Sequence, residues 1–215
     1  MKAHAATLAM VMAATFVILL VILHVLRPDL DPRWHMISEY EVGPSGWLMS
    51  VTFLALAAAL FSLMLTFIGN AHGWLGISSV VLLAMAAIGA AMGGLFPMDP
   101  MGTLPEQASR SGMLHGVAFM IGVPGTLFGV TLLTAYLWRD ADWRPAHSML
   151  LATAGLVWLT AVVFGASMAI LLRKGATGPA FTIGWQNRAL VLAWAVWVFA
   201  LAWRIRLLSR LVSKA

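Results

Sequence analysis

The chain of 215 residues contains no cysteine. Disulfides, thiolate metal sites, iron–sulfur clusters and covalently attached c-type haem are thereby excluded. Charge is scarce as well. Asp, Glu, Lys and Arg make up 10% of the residues, where a soluble domain carries roughly 25%. With so little polar surface there is no soluble basic domain to engage nucleic acid, although the formal net charge is +5. In an apolar chain, excess Lys and Arg reads as a topology signal. What fills the space is hydrophobic: 61% of the residues, more than one buried core could use. Most of those side chains must face lipid, so membrane lipids are the expected surroundings.

Crossing about 30 Å of hydrocarbon takes roughly 20 helical residues. Six apolar segments meet that length: 5–26, 47–68, 74–95, 113–137, 147–172 and 188–207. Backbone in lipid must satisfy its own hydrogen bonds, and long apolar runs without strand alternation do so as helices. The expectation is an all-α, polytopic six-helix bundle forming one membrane domain over 1–215. The first run, 22 residues from Ala5 to Leu26, exceeds the 7–15 of a signal-peptide core and reads as a retained span. Gly89-x-x-x-Gly93 and Ala161-x-x-x-Gly165 have the small-residue spacing that lets helices approach within a bundle. Pro124, between two glycines, is placed to kink the fourth helix.

Long connections (27–46, 96–112, 173–187) alternate with short ones (69–73, 138–146), so the long loops share one membrane face and both termini share the other. Lys and Arg number six on the long-loop face and seven on the terminal face, four of those seven at or just beyond the end of the last span. That cluster favours both termini in the cytoplasm and the long loops outside.

Chemistry gathers on the long-loop face. In "DPRWHMISEYEVGPSGW", Asp31 can cap a helix, Pro32 can open it and Gly43 can end it. At 100° per residue Trp34, Met36, Ile37 and Tyr40 share one side of a short interfacial helix over 32–41, and His35, Ser38 and Glu39 share the other. Beyond "LFPMDP", Ser111 and His115 stand four residues apart at the mouth of the fourth helix, on one face. "GWQNR" puts Asn187 and Arg188 at the mouth of the sixth.

His115 interrupts an apolar run, and ionisable groups at such depth usually serve function. Asp99, His115 and Arg188 are expected to form one buried network, facing the polar side of the first-loop helix. In the site this implies, Asp99, His115 and Ser111 carry catalysis. His35, Ser38, Glu39, Asn187 and Arg188 bind the ligand, a lipid or lipid-linked head group that is bound or hydrolysed. His35, Glu39, Asp99 and His115 have the ligand types for a divalent cation. Haem between His24 and His115 is disfavoured, as nothing but depth relates the two. A transporter is disfavoured because no acid, Lys or Arg lies in mid-span. The alternative is a non-enzymatic accessory subunit of a membrane protein complex, in which the same groups pin loops together.

The ordered set Ile37-Ser38-Glu39, Phe96-Pro97-x-Asp99, the lone His115 and Arg188 resembles the bacterial and archaeal membrane family known as domain of unknown function 998. The resemblance covers about 5–207, departs at Tyr40, where leucine is the more familiar residue, and implies no activity. Ser111-x-x-x-His115 with Asp99 upstream is similar to part of the signature of alkaline-ceramidase-like membrane hydrolases. Those proteins have seven spans and a zinc site with further histidines late in the chain; here no histidine follows His147.

Overall fold

The structure is a computed structural model and describes residues 2–212. Among these, six helices are long and apolar enough to cross a membrane. They are α1 (Lys2–Leu26), α2 (Gly46–Leu65), α3 (Gly73–Leu95), α4 (Arg110–Trp138), α5 (His147–Arg173) and α6 (Gly184–Val212). Each expected span lies largely inside one of them, and α4 runs on through Pro124. Their outward faces are as apolar as their inward ones: Val25, Met120 and Leu172 are 76%, 70% and 62% exposed. A helix hydrophobic all round is one whose outer face meets lipid. The protein is an integral membrane protein.

The helices pack as a ring in the order α4, α3, α2, α1, α6, α5, and the contact that closes it, between α4 and α5, is the slimmest. The tightest is α3 on α4. A Cβ on Gly89 would collide with the Gly122 backbone, so only glycine permits this approach. Gly165 does not share that role. A Cβ there would meet nothing within 4 Å, and the residue lies exposed on the outer face of α5. The same small-residue spacing thus marks a packed seam in one helix and bare surface in the other.

The first long loop closes one end of the ring and differs from its expected form. Asp31 begins a single turn, its carbonyl accepting from the backbone of His35 at 3.1 Å, and its side chain accepting from that of Arg33 at 2.9 Å. The chain then extends through Met36, and a 3-10 helix covers only Ile37–Glu41. The expected ten-residue interfacial helix is a turn plus five residues. It is also buried: Ile37 and Tyr40 are 2% and 0% exposed, packed into the core with α1 and α2. The loop sits flush because α6 starts with Gly184, where a Cβ would strike the carbonyls of Pro32 and His35.

Candidate functional site

Two polar clusters are built on this end of the bundle. Arg188, 3% exposed, is the hub of the first. Its Nε donates to His24 Nε2 at 2.7 Å, and its Nη2 to the Tyr40 hydroxyl at 3.2 Å. Its Nη1 reaches the carbonyls of His35 at 2.6 Å, Gly184 at 3.0 Å and Pro32 at 3.3 Å. The His24 ring is fixed in turn by Nδ1, which lies 2.6 Å from the Leu20 carbonyl as donor, leaving Nε2 to accept. All three guanidinium nitrogens are engaged, and none on a carboxylate. Arg188 ties α6 to α1 and to the first loop. Beside it Glu39 is held within its own loop. One oxygen lies 2.5 Å from His35 Nδ1, and the other accepts from the Met36 backbone at 2.7 Å.

His115 is the hub of the second cluster. Its Nδ1 lies 2.9 Å from the carbonyl of Phe96, the residue that ends α3. Carbonyls in a last helical turn lack partners within the helix, and the imidazole N–H supplies one. The Gly93 carbonyl also faces the ring. Glu41 Oε2 stands 3.3 Å from the same Nδ1 and accepts from the Met98 backbone at 3.2 Å. Glu41 Oε1 is buried with no partner among the described residues. Burial pushes the Glu41 carboxyl up to about 8, so it is mostly protonated at neutral pH. Glu41 was not among the residues expected at the site.

Between α2, α3, α4 and α6 lies a cavity of about 100 Å³. Its walls are apolar, Leu56, Leu60, Ala86, Ala90, Val123 and Leu190 among them, and its polar groups are few. Ser38, His115 and Asn187 stand at the loop end, and Thr126 and Trp194 further in. Asn187 Oδ1 accepts from the Ile37 backbone at 2.9 Å, which turns its amide –NH2 away as a donor. Among the described residues, no hydrogen bond engages that amide nitrogen, Ser38 Oγ, or His115 Nε2. The Trp194 indole N–H, buried in the wall, is also without a partner.

The structure therefore brings together Ser38, His115 and Asn187, with Glu41 behind them. It places the other expected residues elsewhere. The Asp99 carboxylate accepts from the Ser109 backbone at 2.8 Å, at the start of α4, where a negative charge suits the helix dipole. Ser111 donates its hydroxyl to the Pro97 carbonyl at 2.8 Å. No hydrogen bond or ion pair among the described residues joins Asp99 to His115 or to Arg188. The single network expected of those three is replaced by separate contacts. The four candidate cation ligands are likewise divided, His35 with Glu39, His115 with Glu41, and Asp99 apart. Among the described residues no group of three or more such side chains is gathered to hold a metal ion.

Glu41 lay in plain view in the sequence, six residues before the expected start of the second span. A helical wheel over 32–41 places it in the last turn on the apolar side, between Ile37 and Trp34, and only the extended stretch at Met36 and the 3-10 turn bring it under His115.

The family model described as "Protein of unknown function (DUF998)" matches residues 10–204, and the chain belongs to that family. No curated protein and no solved structure matches it.

Proposed function

We propose that this DUF998 member binds a lipid, or the head group of a lipid-linked compound, at the long-loop boundary of the membrane. The observation that carries this reading is the pairing of an apolar cavity with uncommitted polar atoms at one end of it. These polar atoms keep some access to solvent and have no hydrogen-bond partner among the described residues, so they are left to water or a ligand. Ser38, His115 and Asn187 line the loop end of the cavity, where a head group would lie, and the apolar walls continue inward where a chain would follow. Ligand sites have this composition, apolar walls with a few convergent polar groups. Phe119 also lines the cavity and is 48% exposed on the outer face of α4, which supports entry from the lipid side.

Binding is favoured over hydrolysis, because the hydroxyl of Ser111 and the carboxylate of Asp99 are turned to backbone groups rather than to His115. Arg188 positions the first loop and does not touch the ligand. The long-loop face is outside the cytoplasm in this reading, on the strength of the basic cluster at the end of the last span.

Native mass spectrometry of the purified protein tests the binding. One lipid-mass adduct is expected on the wild type. Ser38→Trp, which blocks the mouth without removing a hydrogen bond, should abolish it at unchanged melting temperature. An adduct unaffected by this substitution, or none on the wild type, overturns the proposal. For orientation, the cysteine-free chain allows single cysteines at Pro28, Glu106 and Thr182, all exposed. All three should react with an impermeant thiol reagent added outside intact cells, and labelling of any one only after lysis would contradict the orientation.

A further inference from the structure

Resting on that reading, we infer that the head group is uncharged and bears a hydroxyl: the ligand is a single-chain alcohol or monoacylglycerol rather than a phospholipid, a fatty acid or an amine.

The inference follows from which atoms are open. With Nδ1 donating to the Phe96 carbonyl, His115 Nε2 is an acceptor. With Oδ1 accepting from Ile37, Asn187 offers a donor. Ser38 Oγ serves as either. A hydroxyl gives its proton to the imidazole and accepts from the amide, meeting both at once. A phosphodiester or carboxylate brings acceptors only, and one of them would face the lone pair of Nε2. An ammonium brings donors only, and would face the amide –NH2.

Charge leads to the same class. Among the described residues no Lys or Arg and no Asp or Glu lines the cavity. The two buried arginines nearby are committed elsewhere. Arg188 holds His24, Tyr40 and three carbonyls. Arg27, 7% exposed, holds Asp29 and the carbonyls of Val42 and Pro44. Arg110, exposed at the start of α4, is not part of the lining. Volume sets the number of chains. At about 100 Å³ the cavity is smaller than the ~150 Å³ apolar cavity that admits benzene, and it takes part of one chain, not two.

Trp194 in the cavity wall provides the readout. The wild-type protein in nanodiscs is titrated with 10-bromodecan-1-ol, whose bromine quenches tryptophan. Saturable quenching is expected, and it should vanish in Trp194→Phe. Unlabelled 1-decanol and monodecanoylglycerol should reverse it, and whichever acts at lower concentration tells a free alcohol from a glyceride. Decanoate, decylamine and decyl phosphate should need at least tenfold more. Ser38→Ala should weaken decanol about tenfold. Asn187→Asp, which keeps the acceptor for Ile37 and removes the donor, should move the preference toward decylamine. If decyl phosphate or decanoate displaces the bromoalcohol as well as decanol does, the head-group class is wrong while the lipid site stands. Absence of saturable quenching removes the site itself.

Discussion

Asn187 and Arg188 are neighbours on α6, about 100° apart around the helix, and they serve clusters of opposite character. On the Arg188 side the bonding is complete: three nitrogens, five acceptors and a histidine fixed at both ring nitrogens. On the Asn187 side, among the described residues, it is left open at the amide, at Ser38, at His115 Nε2 and at Glu41 Oε1, of which only the last is fully buried. Both clusters lie at the same end of the same bundle, the first the more deeply buried, with Arg188 3% exposed and Ser38 and His115 half-buried. A closed cluster rigidifies, whereas open polar atoms beside an apolar cavity are free to meet a ligand. The first therefore holds the loop in place, and the second uses the position so fixed.

The largest expected effect sharpens that contrast. Arg188→Ala strands His24, Tyr40 and loop carbonyls, each buried acceptor costing about 1–3 kcal/mol, so the loss should be at least about 3 kcal/mol in detergent melting. Arg188→Lys should restore little, because one ammonium cannot reach acceptors spread over a planar fork. A mild effect of Arg188→Ala would mean that the closed cluster is not what fixes the loop.

Glu41→Gln comes next, and its effect depends on pH. The native carboxyl titrates near 8 and the unfolded one near 4.5, so between those values the folded protein binds the extra proton. Stability then falls as pH rises from 4.5 to 8, by at most about 1.4 kcal/mol per pH unit, and the loss is complete above the native value. Glutamine cannot ionise. The variant should match the wild type near pH 4 and be the more stable one at pH 8, as melting curves across that range would show. A wild-type advantage at pH 8 would mean that Glu41 is held as a carboxylate.

The smallest effect is that of Ser38→Ala. Its hydroxyl has no protein partner, so stability should stay within about 0.5 kcal/mol of the wild type. A loss beyond 1 kcal/mol would place Ser38 in the structural cluster.

The six spans were legible because length and hydrophobicity alone decide what can cross a bilayer, and each boundary falls at a turn residue or a charge. Ser38, His115 and Asn187 could be read as polar groups at one depth. Their separation from Asp99 and Arg188 could not. Charge pairing suggests an acid for a buried arginine, yet Arg188 is met by carbonyls and an imidazole that lie over 150 residues away in sequence. Asp99 follows a local rule instead, a carboxylate at a helix start. Glu41 escaped notice because a wheel assumes 100° per residue, and the first loop keeps that geometry for one turn only. Gly89 and Gly165 share a spacing, but only the packed neighbour tells a seam from a surface.

A structure of the protein in a lipid bilayer tests the central claim most directly. The account predicts chain-like density in the cavity beside Phe53 and Trp194, ending in an oxygen within hydrogen-bond distance of His115 Nε2 and the Asn187 amide. A cavity without such density, with Ser38, His115 and Asn187 bonded to one another or to other side chains, would contradict it.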